Sequence, residues 1–469
     1  MNPLAPERAL LIAAVRHGFV APVAIEEIPP LVAAVNWHRT LWLARRQGVL
    51  VALHELLARR AEAFAPAEVR AQLAAFREVD QLRHLARAKE LCELQDRFDR
   101  AGLAVVWTSR WTLAQLHLPR PALRDSGPRL SCVVEPVEVA PAEALLRDAG
   151  YLLDDDPLHL AERDRSHVVV RSRAMLAALW PDGDAPAFTP EIFSLGGRTL
   201  RTLSAAGWLL RLSARGADAA AIAPRGAGEI VALLRSRPSL EWPAALAHAE
   251  KLGQLPALLR RVAAAHRLLG APPPPALAEQ LSAQSQLDRD AEAAAVARAK
   301  SEPAPTLATN PDTELAYLGR FSPTPPPAVT AMLRLADLTA ADLVYDLGCG
   351  DGRVVVAAAR DFGARGIGLD IDPQRIAEAE ASAAAAAVGE RARFFCADVL
   401  RTPVRDASVV FVYLQGFAYP ELRKKFAAEL RPGTRILSHD FVFPGWPPEK
   451  TAIVRCGPLR ASMIYLWKL

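Results

Sequence analysis

Asp346-Leu347-Gly348-Cys349-Gly350-Asp351-Gly352-Arg353 follows the apolar run Leu343-Val344-Tyr345 and leads into Val354-Val355-Val356-Ala357-Ala358-Ala359. That order predicts a strand, a glycine-rich turn and a helix. The N–H groups of such a turn and of a helix N-terminus suit an anionic group of a nucleotide-like ligand. The form is Asp-x-Gly-x-Gly-x-Gly, not the Gly-x-Gly-x-x-Gly of dinucleotide folds. An acid two residues before the first glycine suits a ligand carrying a positive amino group near its carboxylate. S-adenosylmethionine (SAM) is such a ligand. A tight strand–helix turn with no ligand is the plain alternative.

Acids further along raise the odds of a ligand. Ala364-Arg365-Gly366-Ile367-Gly368-Leu369-Asp370 reads as a second strand ending in a carboxylate, 24 residues after Asp346. A carboxylate at this place in a doubly wound sheet hydrogen-bonds ribose hydroxyls. Asp372-Pro373 reads as a helix cap followed by Pro at the first helical position, opening a helix from Gln374 to Val388. Arg393-Phe394-Phe395-Cys396-Ala397-Asp398 is a third strand closing on an acid, suited to the adenine amino group. A fourth strand spans Ser408 to Leu414, a helix Pro420 to Leu430, and a fifth strand Thr434 to Phe441. Strands Ala452 to Cys456 and Ala461 to Trp467 close the chain as a hairpin around Gly457-Pro458. Alternation of strands and helices with a terminal hairpin predicts an α/β sheet with one antiparallel edge.

Residues from about 312 to 469 resemble the class I SAM-dependent methyltransferases. More narrowly, they resemble the small lysine methyltransferases of the ATP-synthase c-subunit and the adenine nucleotide translocase. The resemblance rests on Phe321-Ser322-Pro323-Thr324-Pro325, Tyr345 to Arg353, and Gly368 to Pro373. It extends to Val412-Tyr413-Leu414, Arg431 to Arg435, Ser438 to Phe441, Gly445 to Pro448 and Ile464 to Trp467. It implies a Rossmann-like seven-stranded sheet, SAM as methyl donor and an amine acceptor, a lysine of an unidentified protein. The expected cofactor-binding residues are Asp346, Gly348, Gly350, Gly352, Asp370 and Asp398, with no metal ligands.

Methyl transfer from a sulfonium is an in-line displacement, so an acceptor lysine must arrive neutral. The protein then supplies alignment, exclusion of water and a route for the proton. A carboxylate or phenol can orient the amine, and aromatic faces favour a cationic head. Tyr413, Asp440 and Trp446 are the expected catalytic residues, each with a packing or turn role as its alternative. His439 reads more readily as a structural histidine. The loop Phe321 to Pro327 is expected to close over the SAM site. No Asn/Asp-Pro-Pro-Tyr/Phe motif follows the fourth strand, which disfavours methylation of base amino groups or glutamine.

Composition bounds the rest. At 469 residues the chain exceeds one typical domain. The net charge is +4, and residues 301–469 balance basic against acidic residues one for one. With no Lys/Arg block to track a phosphate backbone, nucleic acid is not an expected partner. The five cysteines, an odd number without metal spacing, read as reduced residues of a cytoplasmic protein. The apolar run Ala9 to Val15 is too short to cross a membrane.

Pro272 to Pro275 end a first domain, and residues 276–311 read as a linker, so independent movement of the halves is expected. Residues 1–275 read as mainly helical α+β. A long helix starts at Pro66-Ala67-Glu68, and short strands lie at Gly102 to Trp107, Leu130 to Val134 and His167 to Val170. Helices return from about Leu200. Residues 35 to 275 resemble an uncharacterised bacterial nucleotidyltransferase family of the polymerase-β type. The likeness rests on the long helix into Ala101-Gly102-Leu103, on Leu145 to Tyr151, and on Leu240 to Trp242 through Pro272. That chemistry needs a Gly-Asp-x-Asp pair to hold Mg²⁺. Here Gly127-Pro128-Arg129-Leu130-Ser131 places Arg129 and Ser131 where the acids would sit, and Thr108-Ser109 replaces the Lys-Gly element. Asp154-Asp155-Asp156 reads as a solvated turn. The expectation is a degenerate recognition or assembly module joined to a protein-lysine methyltransferase. A SAM-binding scaffold without turnover and methylation of a small molecule are the alternatives.

Overall fold

The computed structural model describes residues 5–58, 64–119, 129–153, 160–163, 166–172, 189–213, 223–237, 242–284, 322–414 and 418–469. In the first half, helices Ala5–Val15, Trp37–Gln47, Leu50–Ala58 and Ala67–Arg100 precede a mixed sheet. Its strands are β1 (Val106–Trp107), β2 (Arg129–Val134), β3 (Leu152–Leu153), β4 (Leu160–Arg163), β5 (Ser166–Ser172), β6 (Glu191–Leu195) and β7 (Arg198–Thr202), in the order β3-β4-β5-β2-β1-β7-β6. Helices Ala205–Ser213, Pro224–Ser236, Trp242–Lys251 and Leu255–Leu269 follow.

Local chemistry explains the boundaries. Asn36 caps Trp37–Gln47 by accepting from the Arg39 amide at 3.0 Å, and Gly48, with φ of 63°, closes it. The hairpin of β6 and β7 corrects the expectation of helix from Leu200. Leu200 to Thr202 end a strand because Gly196 and Gly197, both at positive φ, make the two-residue turn that joins twisted strands. The run Ala9 to Val15 lies within a buried helix. Leu277 and Leu281, expected in the linker, are buried in the core of the first half, so packing continues past the Pro run. The remaining linker, residues 285–311, and the acidic run Asp154 to Asp156 lie outside the described residues.

The second half begins with helix Pro326–Leu335. Its strands are β8 (Leu343–Leu347), β9 (Arg365–Asp370), β10 (Ala392–Cys396), β11 (Val409–Val412), β12 (Arg435–His439), β13 (Lys450–Gly457) and β14 (Arg460–Lys468). They form a seven-stranded sheet in the order β10-β9-β8-β11-β12-β14-β13, in which β14 alone runs opposite to the other six. Helices Arg353–Phe362, Pro373–Ala385 and Tyr419–Glu429 cover it. The chain leaves β8 toward β9 and β10 on one side and returns to β11 on the other, so a crevice opens at the carboxyl ends beside β8. At the opposite edge Asp342 ties three strands together. It accepts from the Ser408 hydroxyl at 2.7 Å, is ion-paired with Arg435, and takes the Thr339 amide at 2.8 Å.

The halves touch, contrary to the independence expected of them. Helices Trp37–Gln47 and Ala67–Arg100 lie along β13, the outermost strand of the second sheet. The Ile453 amide donates to Gln72 Oε1 at 2.9 Å, and Thr451 meets the His38 ring at 3.2–3.3 Å. An exposed edge strand offers unpaired backbone groups, and these side chains occupy them.

β9 packs against β10 with no room at Gly368. A Cβ there would stand 2.5 Å from the Phe394 ring and 2.8 Å from Cys349 Sγ. Gly368→Val is expected to cost about 1–3 kcal/mol through overpacking, read as a lower denaturant midpoint with an unchanged slope.

Candidate functional site

The crevice is built around the glycine turn between β8 and helix Arg353–Phe362. Gly348, Gly350 and Gly352 sit at φ of 84°, 53° and 75°, in the left-handed region where a side chain is strained. Space forbids one as well. A Cβ on Gly348 would come within 2.6 Å of Leu414 Cδ2, and one on Gly352 within 2.7 Å of Ala379 Cβ and the Phe394 ring. The turn is fixed from β9: Gly348 and Cys349 amides donate to the Leu369 carbonyl at 2.8 and 3.0 Å, and the Gly350 amide donates to Asp370 Oδ2 at 2.8 Å.

Three acids converge on the turn. Asp346 is buried at the end of β8, and its carboxyl is pushed up to about 8 by desolvation, then by the charges of Asp370 and Asp351. Asp370 closes β9, its second oxygen accepting the Asp372 amide at 3.0 Å. Asp351 is ion-paired with Arg353, whose guanidinium also donates to the Thr324 carbonyl at 3.0 Å. Asp398 stands two residues beyond β10. It accepts the Leu400 amide at 2.8 Å, with Arg401 at 3.6 Å from its carboxylate. Asp372 is the helix cap expected of it, accepting from the Gln374 amide at 2.8 Å. A buried carboxyl among other carboxylates, with no cation paired to it in the described residues, fits a ligand bearing positive charge.

The strand ends on the other side of β8 gather the aromatic candidates. Tyr413 follows β11, whose last residue Val412 pairs with Ser438 of β12, and its ring centroid lies 4.1 Å from that of His439. His439 is fully buried, with Nε2 2.8 Å from the Ser462 hydroxyl and Nδ1 3.4 Å from that of Thr324. Asp440 adopts φ of 59°, held by two bonds to Met463. Its amide donates to the Met463 carbonyl and its Oδ1 accepts the Met463 amide, both at 2.8 Å. Trp446 lies elsewhere. It packs on Phe443 and Trp467 at centroid separations of 5.4 and 5.8 Å, with the Arg423 guanidinium 5.9 Å from its ring. Trp467 pairs with Ile436, three residues before the end of β12, and the aromatic cluster that holds Trp446 continues through Phe443, Tyr419 and Phe441 to Tyr413. Phe321, the first residue of the expected lid, lies outside the described residues.

Residues 346–450 match the ANTKMT methyltransferase domain, and residues 33–270 match a family described as uncharacterised nucleotidyltransferase. A protein-lysine N-methyltransferase of Saccharolobus islandicus is 36% identical over 148 residues, which cover 31% of this chain and 91% of that protein. The chain belongs to the protein-lysine N-methyltransferase family, preceded by an uncharacterised-nucleotidyltransferase half. The ATP-synthase c-subunit lysine N-methyltransferase of Mus musculus is 32% identical over 108 residues. Those cover 23% of this chain and 43% of the mouse protein, so the chain spans less than half of that relative. The crystal structure of an RNA methyltransferase from Salinibacter ruber in complex with S-adenosyl-L-homocysteine is 39% identical. It covers 31% of this chain and 93% of that one, with a TM-score of 0.30. The cofactor of this methyltransferase is SAM.

In the nucleotidyltransferase half, Ser131, one of the two residues at the places expected of the metal-binding acids, lies in a knot of buried hydroxyls. Thr108 and Ser131 oxygens are 3.1 Å apart, Thr202 donates to the Trp107 carbonyl at 2.6 Å, and Thr112 donates to that of Ser109 at 2.7 Å. Each hydroxyl is spent on a neighbour. Gly127 and Pro128 lie outside the described residues. Of the methyltransferase site, Arg353, Thr324 and Ser462 carried no expectation of their own. Arg353 ends the glycine octapeptide and Thr324 lies in the expected lid, so their positions were marked; Ser462, 23 residues from His439, had no signal.

A raised carboxyl makes the protein without ligand pH-sensitive. Asp346 binds a proton in the folded protein up to about pH 8, but releases it near pH 4 when unfolded. Stability from this group is therefore full below pH 4 and declines as pH rises toward 8. Asp346→Asn is expected to melt higher than the parent at pH 8, with the gap closing toward pH 5, while its SAM affinity falls.

Proposed function

We propose that the chain moves a methyl group from SAM to the ε-amino group of a lysine in a protein substrate. The observation that carries this reading is the adjacency of two sets of side chains across neighbouring strand ends. The glycine turn with Asp346 and Asp370 stands on β8 and β9, and Tyr413, His439 and Asp440 stand on β11 and β12. Bound SAM supplies an electrophilic methyl group on a positively charged sulfur. The buried carboxylate of Asp346 favours that charge, the glycine amides admit its close approach, and Asp370 and Asp398 supply acceptors for ribose and adenine. Tyr413 and the carboxylate of Asp440 orient the incoming amine, and Asp440, partly open to solvent, offers the proton a way out. His439 holds position, both ring nitrogens facing hydroxyls. Trp446, within its cluster, supports the fold beside the acceptor crevice.

The match to lysine methyltransferases supports the acceptor class, the S. islandicus relative being matched over most of its length. The first half, to about residue 275, acts as a recognition or assembly module without nucleotidyl transfer, since Arg129 and Ser131 stand in the sequence where carboxylates would hold a metal. The second half begins near residue 312. All five cysteines are free thiols, in keeping with a reducing cytoplasm. Among the described residues no helix is long and apolar enough to cross a membrane.

The test is incubation of the purified protein with radiolabelled SAM and a lysate of its own host, with Asp370→Ala alongside. A labelled polypeptide is expected. Loss of charge-assisted bonds worth about 1.5–3 kcal/mol is expected to weaken SAM about 10- to 100-fold in the variant, read by calorimetry. Label confined to RNA or to small molecules would overturn the lysine reading, and no label with SAM bound would favour a scaffold.

A further inference from the structure

We infer that the nucleotidyltransferase half positions the acceptor end of the methyltransferase site, through Gln72 and the hairpin of β13 and β14. The inference rests on the reading of Asp440 as an acceptor-side residue. Polar contacts among the described residues join the halves along this hairpin. His38 meets Thr451, Gln72 accepts the Ile453 amide, Glu78 pairs with Arg455 at 2.6 Å, and Arg83 donates to the Leu459 carbonyl at 2.7 Å. The Glu78–Arg455 pair is exposed on both sides and contributes little. The contacts of Gln72 and His38 are to partly buried backbone groups of the edge strand, and they fix its place.

That strand is one hydrogen-bonded step from the crevice. Ile453 pairs with Met463, and Val454 with Ser462. Met463 holds Asp440 by both of its backbone groups, and Ser462 holds His439 Nε2 at 2.8 Å. Asp440 is a non-glycine residue at φ of 59°, a conformation kept only where the surroundings impose it. The two bonds from Met463 impose it here. A displacement of β13 is therefore passed to the carboxylate of Asp440 and the ring of His439. The glycine turn lies on the far side of β8, bonded through Asp370 to the end of β9, and keeps its geometry. Gln72 is thus a positioning residue, acting on the acceptor and not on SAM.

The experiment compares full-length Gln72→Met, which keeps the helix and the volume but loses the acceptor oxygen, with Gln72→Glu, which retains it. Label transfer from radiolabelled SAM into total host protein, SAM affinity by calorimetry and amide hydrogen exchange of the ligand-free protein are measured for each. In Gln72→Met the transfer rate is expected to fall about tenfold and SAM affinity to stay within twofold. Exchange is expected to quicken at Asp440 and Met463 as well as at Ile453. Gln72→Glu restores all three. The inference is overturned if Gln72→Met transfers label at the parent rate, or if faster exchange stops at Ile453. It is equally overturned if rate and SAM affinity fall together with no rescue by Gln72→Glu. If the parent labels no protein, the lysine reading fails on its own, and exchange at Asp440 and Met463 still decides the positioning role.

Discussion

The carboxylate of Asp370 accepts the Gly350 amide with one oxygen and the Asp372 amide with the other. This pair of bonds ties the end of β9 to the turn after β8 and to the helix that follows, and the geometry of the crevice depends on it. Without it three glycines at positive φ would leave the turn with many conformations, since glycine gives up more backbone freedom on ordering than any other residue. With it the turn is set before a ligand arrives, and less of the binding free energy goes into ordering the site.

Electrostatics disfavour the site by itself and favour it with a cationic ligand in place. Asp346, Asp351 and Asp370 crowd a region where burial already disfavours charge, and Asp346 responds by holding its proton. A sulfonium and an ammonium brought into this region reverse the balance. The same neighbours that destabilise the carboxylate when alone become part of a paired arrangement. Stability given up by the free protein is thus recovered on binding, as is common where a site must select a charged ligand.

The two halves of the chain have been adapted differently. The methyltransferase sheet carries acids at its strand ends, whereas in the nucleotidyltransferase half Ser131 lies among the hydroxyls of Thr108, Thr112 and Thr202, bonded to one another or to backbone. The helices of that half have taken another task, lying on β13 and occupying the edge that an isolated sheet would expose.

The second sheet and the glycine turn at its crevice were legible in the sequence because their signals are local. Asp346 to Arg353 combines strand, turn and helix in one octapeptide, and Asp370 and Asp398 are found by counting from strand ends. The cap at Asp372 needs only its neighbour Pro373. The hairpin at Gly196-Gly197 carried an equally local signal, alternation around a two-glycine turn, but helical composition on its C-terminal side masked it. What the sequence could not carry were contacts between residues far apart in the chain. Trp446 meets Trp467 of β14 only once the last hairpin has folded. Ser462 acquires its role only when β14 folds antiparallel to β12. Gln72 meets Ile453 across 381 residues of chain. The sequence by itself determined the turn and the acids at the strand ends, since backbone conformation there is set by residue type. Only the tertiary structure decided which side chains meet at the ends of β11 and β12 and that the first half lies on β13, because those contacts depend on sheet order and docking.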